Sequence, residues 1–163
     1  MENMTPLSAD LTKPDYSFDI VRGLESLVRV DKSIGIDPAT TKTALFSEGQ
    51  WGKLTDTGAV VPATATASAN TFPIFAGNAS GRSDVHATGM VTLLMGGRFI
   101  YKTTQYDTSV AAASYVSGAP LTVKAVVGFD RVPTLAAGAD VVLARVVTPP
   151  TAAGVMEIEV VRP

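Results

Sequence analysis

Cysteine is absent from the 163-residue chain, and histidine occurs once, at His86. The first absence excludes disulfides, thiolate metal sites and a cysteine nucleophile, and with it goes the thiol by which a sequence reports its redox compartment. With a single histidine as well, a zinc site would depend on at least three carboxylate or other oxygen ligands, an atypical set. No acidic repeat has the ligand spacing of a calcium loop. Neither a metal nor another cofactor is expected. Charge is also scarce, at 17% of the residues against roughly 25% in ordinary soluble domains. The 13 Lys and Arg against 15 Asp and Glu leave a net charge of -2. Because the basic positions are scattered, there is no electrostatic footprint for a phosphate backbone, and nucleic acid is not an expected partner. No apolar run approaches the roughly 18 residues that span a bilayer. The opening MENMTPLSAD has neither the basic start nor the apolar stretch of a secretory signal. The expectation is a soluble protein made in a cytoplasm, with no membrane partner.

What is present is small and apolar. Apolar residues reach 46% while aromatics are 7%, so Val and Ala carry much of the hydrophobic content, and low charge with this composition points to surface buried against partners. The length suits one core with attachments. Residues 1–20 read as an extended N-terminal arm, with a disordered tail as the alternative, and residues 21–163 as a β-rich body. Within the arm Tyr16, Phe18 and Ile20 alternate, as they would in a strand added to a partner's sheet edge with the aromatic side chains as anchors. These three are the candidate partner or subunit contacts. From Asp19 to Val30 the apolar positions fit both a helical period and strand alternation, so one short helix or a strand is expected there.

Beyond Asp37–Pro38 the signals are β. Thr43–Ser47 and Gly49–Leu54 are short β-compatible pieces between turn residues, and Ala59–Thr71 reads as a loop or an edge strand. Gly96–Gly97 lies between two β-branched and aromatic runs and predicts a two-residue hairpin turn with Leu94 facing Phe99, Leu93 facing Ile100 and Thr92 facing Tyr101. Apolar residues on both faces of that hairpin imply that both are covered. A strand is expected over Leu121–Val127. A closing hairpin pairs residues 141–147 with 155–161, Arg145 opposite Glu157, with Met156, Ile158 and Val160 on the other face. The resulting fold class is mainly β, a single β-barrel or β-sandwich domain with an extended N-terminal arm.

Chemistry is thinly represented. Ser83, Asp84 and His86 lie close in sequence without a nucleophile-elbow pattern. Gly77–Ser83 is one residue short of a phosphate loop and has Arg82 in place of its lysine. Glu157 and Glu159 project to one side of a strand beside Arg145, which reads as a solvated or interface face rather than a catalytic pair. No catalytic residue is assigned, and the chain is not expected to be an enzyme. The alternative to an assembly role is a glycan- or receptor-binding β-module, with Trp51, Tyr101, Tyr106 and Tyr115 as a stacking platform, against the more ordinary use of these aromatics in a core or interface.

Taken in order, SEGQWGKLTDTGAVV, FPIFAGNASGRSD, TGMVTLLMGGRFIYKTTQYD, GAPLTVKAVVG and LAAGADVVLARVVTPPTAAGVMEIEVV resemble the head decoration, or cement, proteins of tailed bacteriophages. The matching positions are Gly49 to Trp51, Gly96 to Thr103, Gly118 to Val123 and Val141 to Val161. Gln50 stands where an acidic residue is common and Gly52 where a β-branched one is. The resemblance implies a barrel or sandwich body on the outer surface of an icosahedral virion capsid, made in the bacterial host cytoplasm. It implies an N-terminal arm contacting the major capsid protein or a neighbouring copy, and association as a trimer or dimer. It carries over no catalytic residues.

Overall fold

The computed structural model describes residues 19–22, 28–35, 49–62, 70–76, 90–124, 126–129 and 131–162. Ten strands account for most of them: β1 Asp19–Arg22, β2 Val28–Gly35, β3 Trp51–Leu54, β4 Val60–Pro62, β5 Thr71–Ala76, β6 Met90–Thr103, β7 Pro120–Thr122, β8 Thr134–Leu135, β9 Ala144–Thr148 and β10 Met156–Arg162. All their pairings are antiparallel. Eight strands follow one path, β4-β3-β5-β6-β10-β9-β7-β8, while β1 and β2 both pair with β6. The fold is a mainly β single domain built on this curled, open sheet, a half-barrel. Among the described residues the one helical element is a 3₁₀ turn at Ala112–Ser114. The stretch for which helix and strand competed is extended on both sides of residues 23–27. Pairing with β6 decides it, because a ladder of backbone hydrogen bonds outweighs a weak local helical period.

The organising element is β6, 14 residues long. Around Thr92 it pairs with both β2 and β5, and over residues 100–102 with both β1 and β10. Both edges of the strand are therefore used in each half. This corrects the expected hairpin at Gly96–Gly97: the chain runs on through the glycines, and Leu94 and Phe99 lie on one strand. Of the two glycines only Gly97 has positive φ, at 94°. A type I′ turn needs positive φ at both central residues and a type II′ turn at the first, so neither can form here. Residues 90–103 instead form one continuous strand, within which Gly97 takes a positive φ that glycine adopts without strain. Residues 97–103 find partners along the whole of β10 rather than folding back on residues 90–96.

The strand serves two cores. Leu93 and Leu94 are adjacent, both buried, and point to opposite faces. Leu94 joins the larger cluster with Trp51, Phe99, Tyr101, Leu121, Met156 and Ile158, and Leu93 joins a smaller one with Val60, Phe72, Ile74 and Val91. Each large apolar side chain buried in this way contributes roughly 1.5–3 kcal/mol relative to exposure. Trp51 connects the halves. It begins β3 in the first half of the chain, yet its side chain lies in the larger cluster and its backbone N–H donates to the Arg131 carbonyl at 2.7 Å, just before β8.

Two further expectations change in detail. The strand expected over Leu121–Val127 stops at Thr122 in β7. Beyond it the Phe129 N–H donates to the Val126 carbonyl at 2.8 Å, closing a turn with Val127 exposed at its tip. In the closing hairpin Met156, Ile158 and Val160 are fully buried as expected. The partner of Arg145, however, is Glu159 rather than Glu157. The loop is closed by the Thr151 N–H on the Val155 carbonyl, which centres it two residues later than Thr151, and with the register irregularity between Glu157 and Ile158 the net result moves the partner of Arg145 by two. Period-2 geometry keeps the faces unchanged under that shift.

Candidate functional site

The outward side of β6, β9 and β10 gathers the charges that the low composition allows. Arg98 donates through Nε to Glu159 Oε1, and its Nη2 lies 2.7 Å from the same oxygen. Thr148 Oγ1 donates to Glu157 Oε2 at 2.6 Å, and Lys102 stands opposite Glu157 in the register. Arg145 donates to the Gly118 carbonyl at 3.2 Å. A shallow groove of about 270 Å³ runs beside this face, lined by Val142, Leu143, Ala144, Arg145 and Glu159. Glu159 accepts from Arg98 and Glu157 from Thr148, and both glutamates are partly buried beside the groove.

Several buried polar groups hydrogen-bond one another within the fold. Trp51 Nε1 donates to the Tyr101 hydroxyl at 3.1 Å, and burial raises the Tyr101 pKa. Asp107, 1% exposed, holds the chain that leaves β6. Its Oδ1 accepts from the Ser109 N–H and hydroxyl, and its Oδ2 from Thr134 Oγ1 at 2.7 Å. Its N–H donates to the Pro133 carbonyl, and its own carbonyl accepts from the Tyr115 hydroxyl at 2.7 Å. Burial, together with the nearby Asp107 carboxylate, pushes the Tyr115 pKa up to about 12. Tyr106 meets Tyr115 edge to face and is likewise shifted up by burial. Thr122 Oγ1 is buried with no hydrogen-bond partner among the described residues.

The structure places Ile20 on β1, opposite Tyr101 of β6 and packed half-buried against the larger core, with Val21 and Arg22 exposed beside it. Tyr16 and Phe18 lie outside the described residues, as do Ser83, Asp84, His86 and the loop Gly77–Ser83. The aromatic platform considered for a glycan is corrected. Trp51, Tyr101 and Tyr115 are fully buried and Tyr106 nearly so, and a ring inside the core has no face to offer a sugar. Among the described residues no group of three or more His, Cys, Asp or Glu is placed to hold a metal ion. Sequence reasoning passed over Asp107, although Asp107-Thr108-Ser109 carries the signature of a side chain that accepts from the backbone two residues on. No family model, curated protein or solved structure matches the chain.

Proposed function

We propose that this chain is a structural virion protein of a tailed bacteriophage. It binds the outer surface of the icosahedral capsid and stabilises contacts between major capsid protein subunits, working as a trimer or dimer of its own copies. Support begins with the ordered resemblance of residues 46–162 to head decoration proteins. The observation that carries the reading is the root of the arm. Ile20 packs against the core and Asp19–Arg22 is hydrogen-bonded to β6, so residues 1–18 are attached at a fixed point on the sheet. An arm anchored in this way transmits load from a partner to the body, as bridging subunits under internal pressure requires. Strand addition through Tyr16 and Phe18 gives the contact.

A chain lacking residues 1–18 retains β1 and every other described element. It is expected to fold, with an unchanged melting temperature, and to co-sediment with undecorated capsids markedly less than the full chain. Undiminished co-sedimentation would remove the arm from the account.

A further inference from the structure

Residues 131–135 link the two ends of the open sheet. They contain β8, which is two residues long and lies at one end of the strand path. Among the described residues β8 pairs with β7 alone, Leu121 opposite Leu135 and Thr122 opposite Thr134. The other attachments are single bonds to separate elements. The Arg131 carbonyl accepts from the Trp51 N–H of β3 at 2.7 Å, and the Pro133 carbonyl accepts from the Asp107 N–H at 2.9 Å. Thr134 Oγ1 donates to Asp107 Oδ2. By contrast, β10 is laddered on both edges, to β6 and to β9, and fully buries Met156, Ile158 and Val160.

The seat of this segment is polar. Leu121 and Leu135 pack on the larger core, so strand alternation turns the neighbouring pair, Thr122 and Thr134, to the other face. Both threonines are buried there, as is Asp107. Thr122 Oγ1 has no hydrogen-bond partner. A buried hydroxyl without a partner carries its full desolvation cost, which is relieved once water reaches it. The Asp107 carboxylate gains hydration on exposure as well. The segment's own apolar burial comes from Val132, Pro133 and the half-buried Leu135.

We propose that residues 131–135 form a strap that releases as a unit while the ladder of β6, β10 and β9 stays intact. Release breaks the bonds to Trp51, Asp107 and β7 together, lets water reach Thr122 and Asp107, and leaves one edge of β7 open. Segments held by few apolar contacts and isolated hydrogen bonds open at lower free energy than the strands of the core. The unsatisfied hydroxyl lowers the cost of opening at this place in particular. The strap belongs to the body of the fold and does not depend on the capsid reading.

Native-state amide exchange of the full chain, followed residue by residue by NMR, tests it. The reporters are the amides of Trp51, Asp107 and Ala136, whose acceptors are the Arg131, Pro133 and Pro120 carbonyls. They are expected to share one opening constant, at least about a hundred-fold larger than that of Ile158 in β10. Thr122→Val keeps the branched shape and removes the unpartnered hydroxyl. It is expected to reduce the opening constant of all three reporters about threefold or more, because the hydroxyl is hydrated in the released state. Reporters that open no more readily than Ile158, or at three unrelated constants, would overturn the proposal. So would a Thr122→Val chain that slows Ile158 and leaves the reporters unchanged, since release would then not reach Thr122. If that variant does not fold, the comparison within the wild type still decides.

Discussion

The indole Nε1 of Trp51 donates to the hydroxyl of Tyr101, 50 positions along the chain, and both side chains are fully buried. This bond, with the Trp51 backbone bond to Arg131, ties the start of β3 to the central strand and to the approach to β8. Tyr101→Phe removes the acceptor and leaves a buried N–H without it, for a loss of about 1–3 kcal/mol. Trp51→Ala is expected to cost about 3–5 kcal/mol through the cavity it leaves. A double-mutant cycle with Trp51→Phe and Tyr101→Phe, read by guanidinium unfolding, should show coupling above about 0.5 kcal/mol. Strict additivity would mean that the bond contributes nothing.

Asp107→Ala strips three donors of their acceptor beneath residues 108–119. A loss of about 2–4 kcal/mol is expected, since hydrogen bonds to a charged group are each worth about 1.5–3 kcal/mol and the donors relax in part toward water. Amide exchange should accelerate at Ser109 and across the loop more than in β10. Uniform acceleration everywhere would show that Asp107 acts on global stability alone.

Alkaline stability follows from the tyrosines. Burial raises the pKa of Tyr101, Tyr106 and Tyr115, the last to about 12, from an unfolded value of about 10. The folded chain then holds these protons where the unfolded chain has lost them. Their contribution is intact below about pH 10 and falls as pH rises through the folded values. The melting temperature should be level from neutral pH to about pH 9 and drop between about pH 10 and 12. Tyr115→Phe should shallow that drop, and an identical profile would remove Tyr115 from it.

Gly97→Ala places a Cβ on a backbone with φ of 94° inside a strand paired to β10 at that position. The strain should lower stability by about 1–3 kcal/mol, read by chemical denaturation. A neutral effect would show that the positive φ at Gly97 is not needed for the fold.

Alternation along β10 makes its buried face legible in the amino-acid order alone, because a period of two survives a register error. The partner of Arg145 is not legible there, since one residue of uncertainty in a Thr-Pro-Pro-Thr loop moves a cross-strand partner by two. Gly96–Gly97 marks an interruption of regular strand geometry, and local sequence cannot say whether the chain reverses there or runs on. That depends on β10, which begins more than fifty residues later. Tyr101, Tyr106 and Tyr115 are visible as aromatics, but their use inside the core rests on partners such as Asp107 and Trp51 that only the fold brings near. Of the arm candidates, Ile20 is legible as one position of an alternating strand, and its packing against this chain's own core becomes visible only through the pairing of β1 with β6.

The proposed capsid-surface role is tested most directly by cryo-electron microscopy of capsids assembled with and without the full chain. The account predicts added density on the outside of the shell at symmetry-related positions, of a size that fits the half-barrel, absent from capsids made without the protein. Indistinguishable maps under conditions where the protein is folded and in excess would contradict it.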